Sequence, residues 1–372
     1  MKPFKVFTLL AGLGSAANLN LWDIDDSCHP HMDALQKAFD DAELMAVKAR
    51  DDLELLNDAR PRFAIGKTDE RNNWDRIARA VTAVFGFVPD KKGHDPKEDH
   101  WSNVMKVYDD MVKTLHEGVM VPENGYTGLQ PLILCNQNKF IWVGRNDVDP
   151  HDIGGRLLYI SRPDLIKDEH AGAWVYKERY MASTERQANV GMCPPGRWAV
   201  TQTGFDVIAI CPKSFSDDAH PQSASEAKAS LKAGDKLNSW THTSLSKTTV
   251  HELAHWFGGP NNRVPDQHAV NRAGELVYHN PATNKYVTDR NIPGVTKVVV
   301  YDYFWVANLA RTHDGPNSGN SGPSKATFTA EAYAMFAAMS YLDVFDWADN
   351  GIAKPVTKAI AYEKLPNGKR RG

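Results

Sequence analysis

The chain has 372 residues, 42% of them hydrophobic and 24% charged, a balance that excludes a disordered polymer and supplies ample material for a buried core. At roughly 150 residues per domain, one large domain or two moderate ones fit the length. The formal net charge of -3 gives no reason to expect nucleic acid as a partner, and the basic run Lys369-Arg370-Arg371 reads as a solvated tail.

In chain order, Lys2 and Lys5 precede the apolar run Val6 to Gly14 and the small residues Ser15, Ala16 and Ala17. This is the pattern of a secretory leader over residues 1–17, and cleavage after Ala17 fits the small-x-small rule best. No other apolar run approaches the roughly 20 residues that a bilayer-spanning helix needs, so the expected product is an exported protein with no membrane contact. Apolar residues at Met32, Leu35, Phe39, Ala42, Leu44, Ala46, Ala49 and Leu53 repeat at helical period and predict a long amphipathic helix from Pro30 to Asn57. Asn73 to Val88 and His100 to His116 predict two more, which makes residues 18–120 a helical region.

From Gly125 onward, short apolar runs between turn residues predict strands at Leu132–Cys135, Phe140–Val143, Leu157–Ile160, Ala173–Tyr176, Trp198–Thr201 and Phe205–Cys211. A polar loop over 212–247 leads to a helix opening at Thr248. Glu275 to Asp289 reads as a hairpin, Tyr303 to Arg311 and Thr329 to Leu342 as helices, and residues 346–372 as a tail. Four cysteines, Cys28, Cys135, Cys193 and Cys211, predict two disulfides in an oxidising compartment. Cys193 and Cys211 each adjoin a proline at the end of a strand-like run and are expected to pair, which leaves Cys28 with Cys135.

The segment with the most specific chemistry is His251-Glu252-Leu253-Ala254-His255. Histidines four apart on a helix stack on one face, so two imidazole nitrogens can meet one tetrahedral zinc ion. Glu252 follows the first ligand, where its carboxylate can face an activated water and act as general base. The neighbours Val250, Leu253, Ala254, Trp256 and Phe257 suit a helix buried behind a cleft. His29, His31, His94, His100 and His313 lie in polar contexts and read as surface residues.

A catalytic zinc needs a third protein ligand. Asn261 stands where metzincins carry their third histidine, and that class is disfavoured. Ile208-Ala209-Ile210-Cys211-Pro212, the HExxH element, Tyr301-Asp302-Tyr303 with its following helix, and Thr329-Ala330-Glu331-Ala332-Tyr333 together resemble, in order, the deuterolysin family of fungal secreted peptidases, the aspzincins, and the related lysine-specific metalloendopeptidases. The resemblance covers about residues 205–343. It implies an α+β zincin-like fold with N-terminal helices, a mixed twisted sheet and an HExxH helix, the catalytic domain spanning 121–345. It implies zinc held by His251, His255 and Asp266, Glu252 as base, Tyr301 as oxyanion stabiliser, and protein or peptide substrates cut by a monomeric enzyme. Glu331 falls where that family places an acidic substrate-binding residue, which implies a preference for a basic side chain just after the scissile bond.

The chain departs from the family in lacking a Gly-Thr before Asp266 and a Tyr-Gly soon after it; residues 269–300 read as an insertion. Asp302 is therefore a rival third ligand, and Glu331 another. A catalytically impaired secreted binding protein of the same fold is the alternative function.

Overall fold

The computed structural model of the protein describes residues 17–64, 66–121, 128–216, 223–258 and 264–356. All of the expected leader except Ala17 lies outside the described residues, as does the basic run at 369–371.

The described residues open with a 3-10 turn (Leu19–Leu21), β1 (Asp23–Ile24) and a second 3-10 turn, followed by α1 (Met32–Leu55), α2 (Thr68–Phe85) and α3 (Asp99–Leu115). Leu35, Phe39, Ala42, Ala46, Ala49 and Leu53 form the buried stripe of α1, as helical period requires. α2 ends at Gly86, whose φ of +82° only glycine adopts readily and whose missing Cβ would fall 2.2 Å from the Ala310 carbonyl oxygen.

Next come β2 (Leu132–Leu134), β3 (Ile141–Gly144), the helical turn α4 (Leu158–Ser161), β4 (Gly172–Tyr176), β5 (Arg179–Ser183), β6 (Ala199–Gln202) and β7 (Val207–Ile210). The main sheet is mixed: its order is β1-β2-β7-β6, with β1, β2 and β7 parallel and β6 antiparallel at the edge. β3, β4 and β5 form a separate antiparallel sheet. The expected strand at Leu157–Ile160 is instead α4: Leu158 N–H bonds to Asp147 O, and the Ser161 hydroxyl donates to Asp149. A four-residue apolar run carries no period that separates a strand from one helical turn.

The remaining elements are α5 (Ala224–Ser230), α6 (Asn238–Thr241), α7 (Leu245–Phe257), β8 (Tyr278–Asn280), β9 (Lys285–Val287), β10 (Thr296–Lys297), α8 (Tyr303–Leu309), α9 (Pro323–Ala326), α10 (Ala330–Tyr341), β11 (Phe345–Asp346) and β12 (Lys354–Pro355). α5 replaces part of the expected polar loop and opens with a reciprocal Ser223–Glu226 capping box. Every residue of α10 from Ala330 to Ser340 is buried, which makes it the central helix of the molecule. α7 and α1 pack on α10 and on each other, and α2 and α3 close the bundle. One hydrophobic core thus joins the N-terminal helices to α7 and α10. The disulfides are Cys28–Cys135 and Cys193–Cys211.

Residues 346–356 belong to the folded body rather than to a tail: β11 pairs with β12, and Trp347 is buried. They are anchored by Arg79 of α2, which is 0% exposed and pairs with Asp346 at 2.8 Å and with Asp349 at 3.0 Å. Arg79→Met leaves Asp346 buried without its cation and should lower the unfolding free energy by about 3 kcal/mol, read as a lower urea midpoint with unchanged slope.

Candidate metal centre

α7 is capped at its N-terminus by Ser244, whose hydroxyl accepts from Lys247 N–H at 3.2 Å. Val250, Leu253, Ala254, Trp256 and Phe257 are buried in the core, which leaves the face carrying His251 and His255 to meet the cleft. The two rings lie 4.8 Å apart, nearly perpendicular, with their Nε2 atoms 3.1 Å from each other.

The opposite nitrogens fix the tautomers. His251 Nδ1 lies 2.9 Å from the Glu331 carboxylate, and His255 Nδ1 faces the Val264 carbonyl oxygen. Both acceptors require Nδ1–H, so each Nε2 offers a lone pair to the space between the rings. Asp266 completes the group, with Oδ1 3.2 Å from His251 Nε2 and 3.4 Å from His255 Nε2. That oxygen is buried and has no hydrogen-bond donor.

Zinc holds nitrogen and oxygen ligands at about 2.0–2.1 Å, so any two ligand atoms on its tetrahedron are about 3.3 Å apart. The three separations here match that edge, and three lone pairs turned toward one point repel unless a cation lies among them. The donor set therefore fits a divalent ion of the zinc type. Without an ion, a proton on His251 Nε2 takes its part: burial opposes protonation of His251, but the hydrogen bonds the charged ring then donates to Asp266 and Glu331 raise its pKa to about 10. Burial likewise favours neutral Asp266, yet the two histidines hold it far below the usual carboxylate range.

The backbone explains how Asp266 arrives there. Val300 N–H bonds to Gln267 O, Ala269 N–H to Val298 O and Val277 N–H to Ala269 O, so residues 269–300 fold back on themselves and return the chain to its starting point. Tyr301 consequently stands opposite Asp266 and donates to its Oδ2 at 2.8 Å. Burial, followed by the Asp266 charge, pushes the Tyr301 phenol well above its ordinary pKa; it remains a neutral O–H donor, half exposed to the cleft.

Glu252 is buried, and its Oε2 accepts from the Thr201 hydroxyl of β6 at 2.7 Å. Together with Gln202, Thr248, His251, His255, Asp266 and Tyr301 these residues line a cleft of about 740 Å³.

Two sequence expectations need correction. Asp302 is no rival ligand: its carboxylate accepts from Trp305 N–H at 3.0 Å and caps α8. Glu331 is not a substrate-binding residue. It is 0% exposed, outside the cleft lining, and its Oε2 is taken by His251 and by the Lys247 ammonium. It holds the His251 ring from behind and presents no acidic floor to the cleft.

Sequence reasoning missed Lys247 and Thr201. Lys247 stands four residues before His251, on the same helical face of a helix otherwise buried; a lysine there signals a buried partner. No other group of three histidine, cysteine or acidic side chains among the described residues is arranged to hold a metal.

The chain matches no protein-family model and no curated protein sequence. Metal analysis of purified protein should find about one zinc per chain in the wild type and in Asp302→Ala, and loss of that zinc in Asp266→Ala.

Proposed function

We propose that the protein is a secreted zinc-dependent metalloendopeptidase of zincin-like fold. The observation that carries this reading is the convergence of His251 Nε2, His255 Nε2 and Asp266 Oδ1 at tetrahedral-edge separations, beside a glutamate, in an open cleft. It favours a catalytic protein over a binding protein that has lost its third ligand. Secretion is supported by the leader-like residues 1–17 and by two disulfides, which persist in oxidising compartments. Among the described residues no helix is long and apolar enough to cross a membrane.

When bound by these three residues, zinc supplies Lewis acidity toward water and a peptide carbonyl. Glu252 does the proton work: Thr201 occupies its Oε2, which orients the carboxylate and leaves Oε1 to take a proton from the attacking water and deliver it to the leaving amine. Tyr301, kept neutral, would turn its O–H from Asp266 Oδ2 to the negative charge that develops on the carbonyl oxygen. The substrate backbone has a partner as well. β6 is the edge strand of the main sheet and lines the cleft through Trp198 to Gln202, so an extended peptide can add to its free edge by main-chain hydrogen bonds.

Chelator treatment should abolish casein hydrolysis, and added zinc should restore it. Glu252→Gln should retain zinc and lose at least about 100-fold in kcat; activity close to wild type would remove Glu252 from the mechanism. Thr201→Val should lower kcat by about 10-fold at unchanged zinc content, with Thr201→Ser restoring most of it, because serine keeps the hydroxyl that holds the base.

A further inference from the structure

The leader-like sequence leaves two cleavage positions open. Cutting after Ala17 places Ser15 and Ala17 at the two small positions, and cutting after Ala16 places Gly14 and Ala16 there; both satisfy the small-x-small rule. The fold distinguishes them. Ala17 is only 4% exposed and belongs to the main hydrophobic core. Its backbone N donates to Asp40 Oδ1 at 2.8 Å. Its carbonyl accepts from Gln36 Nε2 at 3.0 Å and from Leu19 N–H at 2.9 Å, while Gln36 Nε2 also lies 2.8 Å from Asp40 Oδ1. A cut after Ala17 would discard a residue held at both ends and strip Asp40 and Gln36 of their partner.

Charge points the same way. Asp40 has no lysine, arginine or histidine bonded to it among the described residues, its partners being Ala17 N and Gln36. Asp41 and Glu43 follow on the same helix and are buried. Burial raises the pKa of both, and the Asp40 charge raises them further. The nearby cations serve the other carboxylates: Lys37 pairs with Glu226 and lowers the pKa of Asp41, and His116 pairs with Glu43 and lowers its pKa, which leaves Asp40 alone without one. This end of α1 is thus an acidic site short of one cation.

We infer that the mature chain begins at Ala17 and that its terminal ammonium is the cation held by Asp40. The inference rests on the secretory reading of residues 1–17 and is independent of the metal centre. Hydrolysis of the Ala16–Ala17 bond by a leader peptidase consumes one water, leaves a carboxylate on Ala16 and frees an amine on Ala17 that is protonated at neutral pH. A neutral N–H facing Asp40 becomes a charged donor in the same place, and the charge-assisted bond is the stronger one. Removing the leader would then tighten the packing of the N-terminal segment on α1, so processing and final stability are coupled.

Two measurements test this. The full chain is expressed in a secreting host and the N-terminus of the exported protein is sequenced. Separately, proteins released from a cleavable tag so as to start at Ala17, or at Ser15, are compared by thermal unfolding, each with and without Asp40→Asn. The asparagine keeps the acceptor oxygen and removes only the charge. The expected results are a start at Ala17, a Tm about 2 °C lower for the extended chain, and no difference between the two chains in the Asp40→Asn background. An exported protein starting at Asn18 overturns the inference and leaves secretion intact, whereas a chain kept in the cell with its leader uncut overturns both. Equal Tm values for the two starts, or a difference that survives Asp40→Asn, refute the ion pair.

Discussion

The carboxylate of Glu331, with none of its surface in water, is bonded at once to a histidine and a lysine of the same neighbouring helix. An ionised carboxylate in that position costs several kcal/mol unless its charge and lone pairs are met. Lys247 meets the charge, and burial is overcome so that Glu331 stays below the usual glutamate range. Because Lys247 and His251 are one turn apart on α7 and Glu331 sits in the first turn of α10, the two helices have a single relative register that brings both donors to the Glu331 Oε2. Sliding either helix by a residue would leave a buried charge alone. The interior ion pair therefore fixes the orientation of the His251 ring, and with it the point at which Nε2 is presented.

The other half of the centre is held by the backbone instead. Asp266 comes from a connecting segment, and the chain travels through β8, β9 and β10 before it returns at Tyr301. That excursion does not disturb the site because its two ends are hydrogen-bonded together, Gln267 to Val300 and Ala269 to Val298. A residue pair far apart in sequence is thereby held as if adjacent, and the Tyr301–Asp266 hydrogen bond is the consequence. An insertion closed at its base adds length at little entropic cost, since closure cost grows only slowly with loop length.

What could be read beforehand follows from the physics of each signal. The long helices were legible because Leu35, Phe39, Ala42 and Ala46 repeat at helical period, and the HExxH pair because two histidines four apart have few structural reasons to share a face. Asp266 was reachable only through family resemblance, since no local pattern distinguishes it from a surface aspartate. β5 escaped because its hairpin turns through Lys177 and Glu178, which adopt φ of 45° and 62° without the Asn-Gly or Asp-Gly signature of such turns. α5 carried a readable sign in Ser223 and Glu226, masked by the polar composition around it.

Glu331 marks the limit of reading by position alone. An acid at a family's substrate-binding place predicts a basic specificity only if its carboxylate reaches solvent, and that depends on what stands opposite it. Here Lys247, contributed by a helix more than eighty residues earlier, neutralises it in the interior. The two residues form one unit: a chain with an alanine at 247 could turn the same glutamate toward its cleft, and a chain with the lysine cannot do so without stranding a buried ammonium. The informative feature is therefore the pair at 247 and 331 taken together, because the lysine decides whether the acid faces the cleft or the His251 imidazole.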